Sequence, residues 1–480
     1  MPFVYDKLLF VDGCFSLFLL IDTLVEICYL MKRNSIIIVI LLIASQLQAQ
    51  VEPNAGTWKT WFISSGKDYR LPAPSSYKNE IAQVIARQQD MDAETKKQIT
   101  FWNAGAPNYR WQAMIDKLWP VDTGRYAILG GMLLATSIYD ATIAAWDTKY
   151  AYKRPRPFAA DSRIKVYAIK PESPSYPCEH SVAAGAAVAI FSRFFPQLAD
   201  SVKKLAKQLM DSRVAAGVAF PSDVEAGFEL GKRIAEKEIE YTKDFVSTAQ
   251  WDGKTSDKPG TWKGKFALFP TAGKNKTVVL ESASEFRPAP PPDFTKEMEE
   301  MKKYKQTFKS LSNAFLWANS SWFSDNLARK IFENNLQFNA PRTARITAAL
   351  LVASYDAVAS CWDAKFTYWG IRPNQYDTTF KPAILITPPF PGYPSGHAMM
   401  SSVSAEMFSY FFPDEKDLYR QKAKDAAESR FQAGIHFRTD NEVALDMGKK
   451  VANKILERVK NDGADVEPNA TSPKKTVAKN

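Results

Sequence analysis

Cysteine is scarce in this chain: four residues in 480, of which Cys14 and Cys28 fall in a leader-like N-terminus. The two that remain, Cys178 and Cys361, make no disulfide framework and leave room for one bridge at most. Long apolar runs are missing as well. Beyond the leader nothing approaches the roughly 18 or more uninterrupted apolar residues of a spanning helix, which argues against an integral membrane domain and a multi-span lipid enzyme. The net charge of +10 comes without any long Lys/Arg block, so the cations read as solvated faces and nucleic acid is not an expected partner. Strand-like alternation is rare, which points away from sheets. Histidine is rarest of all, with three residues, His180, His397 and His436, so the position of each one counts.

What is present is ample. A length of 480 residues exceeds one ordinary core and suggests two domains, and 46% apolar content supplies the material. Met31-Lys32-Arg33, the apolar run Ile36 to Ala44 and the polar end Gln46 to Gln50 have the zones of a signal peptide over 31–49. Residues 1–30 carry Asp6, Asp12, Asp22 and Glu26, which suit neither a signal nor a membrane span. They read as a misassigned start, with Met31 the true one and a retained N-terminal anchor the alternative. The mature chain then begins near residue 50, exported to the periplasm or secreted.

Comparing the chain with itself gives its architecture. Tyr139-Asp140-Ala141 recurs as Tyr355-Asp356-Ala357, Trp146-Asp147 as Trp362-Asp363, Lys149 as Lys365 and Arg156-Pro157 as Arg372-Pro373, all at one constant offset. A single inserted residue then lengthens the offset by one, and the register resumes: His180 pairs with His397, Phe194-Phe195-Pro196 with Phe411-Phe412-Pro413, Ser212-Arg213 with Ser429-Arg430, and Asp223 with Asp440. Order is kept from the first of these pairs to the last, which chance similarity does not hold.

The matching segments read as helices. Ala398 to Phe412 is largely apolar and stops at Pro413, Glu415 to Phe431 has helical spacing, and a third helix begins at Thr439 with a capping box, Thr439-Asp440-Asn441-Glu442. Ser222-Asp223-Val224-Glu225 repeats that device in the first half. The expected fold is therefore all-α, two tandem homologous helical bundles packed together. The first bundle spans 51–245 and the second 295–463. Between them 246–294, rich in Gly, Lys and Pro, reads as a linker or a lid, and 464–480 as a disordered tail.

Three motifs fall in order in the second half: Lys365-x6-Arg372-Pro373, Pro394-Ser395-Gly396-His397, and Ser429-Arg430-x5-His436-x3-Asp440. A tetrahedral oxyanion wants planar guanidinium forks, which Arg372 and Arg430 supply, and a point charge, which Lys365 adds. Ser395 and Gly396 at a helix start aim backbone N–H groups at an anion. His436 is placed to attack or coordinate its central atom, and Asp440 to hold the other ring nitrogen. Each piece alone is commonplace; the conjunction carries the reading.

These motifs resemble those of the type 2 phosphatidic acid phosphatase and vanadium haloperoxidase superfamily, over the stretch from Lys365 to Asp440. The resemblance implies Lys365, Arg372, Ser395, Gly396 and Arg430 as oxyanion ligands. It also implies His397 as general acid, His436 as nucleophile or vanadate ligand, and Asp440 as its orienting partner. Trp362-Asp363-Ala364-Lys365, Pro388-Pro389-Phe390-Pro391-Gly392-Tyr393 and Ile435-His436-Phe437-Arg438 look most like the bacterial haloperoxidase-related branch.

Two enzymatic readings share this pocket. The first is a phosphomonoester hydrolase of the acid phosphatase kind, working through a phosphohistidine at His436 on a small phosphorylated substrate and needing no cofactor. The alternative is a vanadate-dependent haloperoxidase, taking peroxide and halide. A third, from another class, is a non-enzymatic oxyanion-binding protein, against which the retention of both His397 and His436 counts.

The first half departs from the pattern. Ala219 stands where the second half has His436, and Pro177-Cys178-Glu179-His180 replaces Pro-Ser-Gly-His. This half is expected to be catalytically silent. Its Lys149, Arg156 and Arg213 would repel one another without a partner, so the Glu179 carboxylate is expected within salt-bridge reach of at least one of them.

Overall fold

The computed structural model describes residues 51–118, 127–318, 322–383 and 386–465. The leader read over 1–50 and residues 466–480 of the expected tail lie outside them. Among the described residues there are helices, turns and one isolated bridge between Thr261 and Gly370, so the all-α expectation holds.

The first half is built on α1 (Ala127–Tyr152), α2 (Glu179–Phe194), α3 (Ala199–Ala215) and α4 (Pro221–Tyr241). The second is built on α5 (Phe308–Ala318), α6 (Ala340–Tyr368), α7 (Gly396–Phe411), α8 (Lys416–Gln432) and α9 (Arg438–Lys460). Both α1 and α6 are long and apolar enough to cross a membrane by length and composition, but 89% of each apolar window is buried inside the protein. Helices apolar all round belong at the centre of a bundle, and these two are the central ones, packed on each other where the halves meet. α2 lies against α4 and α7 against α9. Gly231 allows the first of these approaches, because a Cβ there would stand 1.9 Å from the carbonyl oxygen of Val182.

The caps differ from the sequence reading. α9 begins at Arg438 and α4 at Pro221, so Asp440 and Asp223 occupy the third helical position. Their carboxylates reach back to accept from the backbone N–H of Phe437 at 3.0 Å and Phe220 at 2.8 Å. The Thr439 and Ser222 hydroxyls, expected as caps, donate instead to Glu297 and Glu80. A carboxylate at the third position satisfies the orphan donor alone, which frees the hydroxyl for a neighbour.

From Glu52 onward the chain is one compact unit. Each central helix also fastens an extended segment. Asp140 of α1 accepts from three successive N–H groups, Trp61, Phe62 and Ile63, at 2.7, 2.8 and 3.2 Å. Asp356 of α6 does the same with Val278, Val279 and Leu280 at 2.7, 2.8 and 3.1 Å. Paired forks follow, Arg70 on Asp147 and Arg287 on Asp363. The stretch read as linker or lid is thus pinned to α6 over its later part, where backbone amides find a buried carboxylate. Ala464 and Asp465, placed by sequence in the tail, are held by Arg342 and Arg345. Cys178 and Cys361 are both free and buried.

Candidate active site

Lys365, near the end of α6, is fully buried, and its ammonium donates to the carbonyls of Pro391, Gly392 and Pro394 at 2.7, 3.2 and 2.6 Å. Arg372 lies just before a short turn of helix opened by Pro373. Its Nε donates to the Phe390 carbonyl at 3.0 Å and its Nη1 to that of Ile435 at 2.7 Å. Nη1 also meets His436 Nε2 at 2.9 Å. An arginine only donates, so Nε2 accepts and the ring proton sits on Nδ1, which donates to Asp440 at 3.0 Å. That tautomer leaves the Nε2 lone pair facing the cations. Arg372 Nη2 is buried and has no partner among the described residues.

Arg430 comes from the last turn of α8, donating from Nε to Ser429 Oγ at 3.0 Å and from Nη2 to the Ala314 carbonyl of α5 at 2.8 Å. Ser395 is the N-cap of α7, and its hydroxyl accepts from Ala398 N. Gly396 and His397 follow as the first two residues of that helix, where backbone N–H groups lack intrahelical partners.

The electrostatics suit an anion. Burial lowers the pKa of Lys365 and brings Arg372 and Arg430 down to about 10 each. Burial, then the charges of Arg430, Arg372 and Lys365, push His397 down to about 3. Burial and the charges of Arg372, Lys365, His397 and Arg430 hold His436 neutral, well below the usual imidazole range. Burial raises Asp440, opposed by Arg372 and Lys365. The shifts of the cations and of both imidazoles are relieved by negative charge placed among them.

The eight residues singled out by sequence therefore converge, with Ser395 serving its helix cap. Two aromatics had no role assigned. Phe390 lies 4.9 Å from the Lys365 ammonium and 5.1 Å from the Arg372 guanidinium, and Trp362 is 5.8 Å from the same ammonium. Both stand in the motifs, but nothing in their spacing shows that Trp362 on α6 and Phe390 on the loop face these cations.

The first half repeats the moorings. Lys149 donates to the Pro174 and Ser175 carbonyls, Arg156 Nε to that of Ser173 at 2.8 Å and Arg156 Nη1 to that of Val218 at 2.9 Å. Each of these acceptors is the repeat-equivalent of one in the second half: Pro174 of Pro391, Ser175 of Gly392, Ser173 of Phe390 and Val218 of Ile435. Glu179 lies among these cations, 2.8 Å from Lys149 and 3.1 Å from Arg156, as its place in the motif led us to expect. Asp223 pairs with Arg154 at 2.7 Å, since no histidine stands at Ala219 to receive it.

Residues 125–235 match the sequence profile described as the PAP2 superfamily, a match that falls on the first half. Among curated proteins none matches the chain. Solved structures do. The first bacterial vanadium-dependent iodoperoxidase aligns with a TM-score of 0.52 at 20% identity, covering 81% of this chain and 98% of that one. A bacterial vanadium-dependent chloroperoxidase in its holo form aligns with a TM-score of 0.51 at 15% identity, over 70% of this chain and 92% of its own. This chain is thus similar to the PAP2 superfamily over residues 125–235 and shares the fold of a bacterial vanadium-dependent iodoperoxidase and chloroperoxidase.

Proposed function

We propose that the second half is the reaction centre of an oxyanion-processing enzyme, and that it hydrolyses small phosphomonoesters. The observation that carries this is Arg372: one guanidinium nitrogen positions His436, while the other, Nη2, is buried without a partner among the described residues. A buried, unpartnered donor of a cation is costly, and an equatorial oxygen of a phosphate offsets that cost. Neutral His436, its Nδ1 proton held by Asp440, attacks phosphorus through Nε2 as the ester bond breaks. His397 delivers a proton to the departing alkoxide and then takes one from the water that cleaves the phosphohistidine, returning phosphate and free His436. Lys365, Arg372, Arg430 and the N–H groups at the start of α7 hold the charge that develops on the oxygens.

The second reading, a vanadate-dependent haloperoxidase, is favoured by the fold shared with such enzymes. Vanadate fits the same residues: Lys365, Arg372, Ser395, Gly396 and Arg430 would hold its oxygens and His436 its metal. When bound it would supply a Lewis-acid centre for peroxide and halide, with His397 moving the proton. We further infer export, with a mature N-terminus near residue 50.

One pair of assays separates the readings. Purified protein is tested for p-nitrophenyl phosphate hydrolysis and, after loading with orthovanadate, for peroxide-dependent halide oxidation, with His436→Ala beside it in both. Hydrolysis lost in the variant supports the first reading; halide oxidation alone supports the second. Equal rates for wild type and His436→Ala sink both.

A further inference from the structure

We propose that the first half holds a second oxyanion cradle, closed by its own Glu179 carboxylate, which admits inorganic phosphate or vanadate when that carboxylate is removed. First-half geometry and its likeness to the second half carry this, whether or not the second half is catalytic.

The moorings of Lys149 and Arg156 to backbone carbonyls reproduce those of Lys365 and Arg372, so the two clusters present their cations in the same way. One difference lies at the ammonium, since Lys365 also donates to the Pro394 carbonyl at 2.6 Å where Lys149 meets Glu179, and the other at one guanidinium nitrogen. Arg372 Nη2 has no partner among the described residues, whereas Arg156 Nη2 donates to both Glu179 oxygens, at 3.1 and 3.2 Å, and to Ser173 Oγ. Lys149 completes the carboxylate's shell at 2.8 Å. Glu179 is the first residue of α2 and Gly396 the first of α7, so a side chain fills in one half what the other leaves to backbone. Backbone N–H groups at that helix start add to the attraction for negative charge.

The ion cluster is buried: Lys149 is 0% exposed, Arg156 4% and Glu179 6%. Removing the carboxylate would strand two buried cations, and a tetrahedral anion with two oxygens toward them restores what is lost. Arg213 adds its charge from beside His180. With Ala219 in place of a nucleophile, the anion would be held without a covalent bond and leave on dilution.

The test is equilibrium binding of radiolabelled orthophosphate to the full chain. Glu179→Gly is expected to bind one phosphate more per chain than wild type, whatever number wild type binds, so failure of the second-half reading shows separately in the wild-type count. Adding Arg156→Ala to Glu179→Gly should weaken the extra site about tenfold or more. No increment, or an increment indifferent to Arg156→Ala, overturns the proposal. Should Glu179→Gly not fold, Glu179→Ala opens the same space with a residue that favours a helix. Its melting temperature is expected to fall and to rise with phosphate more steeply than that of wild type; parallel phosphate dependence overturns the idea equally.

Discussion

At the residue scale the site is a balance between buried cations and two imidazoles that cannot charge beside them. Burial and then Arg430, Arg372 and Lys365 keep His397 neutral, yet its proposed task is to give a proton away. An oxyanion resolves this, because negative charge among the cations raises the pKa of His397 back toward its usual range. Phosphate binding should therefore draw up to about one proton from solution. Calorimetry in buffers of different ionisation enthalpy reads this directly, and His397→Ala should reduce it, leaving only the share that Lys365 and His436 take up. Binding with no proton uptake in wild type would remove His397 from the acid's role. In turnover, His397→Ala should cost about 10² to 10⁴ in kcat, most with poor leaving groups. Asp440→Asn, which weakens control of the tautomer, should cost about 10- to 100-fold.

This much was legible in the sequence because motif order and spacing encode which cations and histidines travel together. Glu179 was legible for the same reason: it stands where Gly396 stands, in a cluster that needs negative charge. Phe390 was not, since a phenylalanine between prolines gives no sign of the face it covers.

At the scale of elements, the two halves differ in how their central helices are buttressed. Glu238 of α4 lies fully buried near Asp140 of α1, accepting from the Thr136 and Ser137 hydroxyls at 2.8 and 3.0 Å. The equivalent position of α9 holds the apolar Ile455 instead. Burial, then the Asp140 charge, raises Glu238 well above the ordinary carboxyl range, and burial brings Asp140 to about 6 against its three N–H donors and Arg458. A carboxyl raised on folding contributes stability fully below its unfolded pKa and loses it as pH climbs through the folded value. Wild-type melting temperature should thus decline as pH rises above the ordinary carboxyl range more than that of Glu238→Gln, whose amide resembles the protonated acid. Parallel profiles for the two proteins would show that the pair does not titrate.

The close crossing of α2 and α4 offers a second test. Gly231→Ala brings a methyl against the Val182 carbonyl and should destabilise by about 1–3 kcal/mol, read by denaturant titration. An unchanged midpoint would mean that the helices part without cost. Helix positions were readable from apolar spacing, but their starts were not. Serine and threonine near a helix start look like caps, and only the fold shows that Glu80 and Glu297 take those hydroxyls while an aspartate at the third position does the capping.

At the scale of the molecule, the halves are joined by more than the contact of α1 with α6. The N-terminal segment of the first half lies on the second: Lys59 N donates to the Asp462 carbonyl at 2.8 Å, Arg342 pairs with Glu52, and the Arg458 guanidinium stands 3.6 Å over the Trp61 ring. Such interlocking should make the compact unit from Glu52 onward unfold in one cooperative step, with calorimetric and van't Hoff enthalpies equal. Two resolved transitions would show halves that fold independently.

The segment from residue 272 to 289 looks, by composition, like the most dispensable part of the chain. Its backbone amides and carbonyls meet Asp356 and two tyrosines, contacts that leave no trace in its own side chains, while Arg287 on Asp363 and Glu285 on Lys454 add side-chain ties. Yet Tyr393, whose hydroxyl donates to the Ala289 carbonyl at 2.7 Å, stands just ahead of Ser395 in the chain. A fragment cut to begin at residue 295 would keep all eight proposed site residues while stripping Asp356 of its three amides and Tyr393 of its anchor. A fragment begun near residue 270 would keep both. For anyone transplanting the proposed site, the smallest piece that keeps its supports starts well upstream of Lys365.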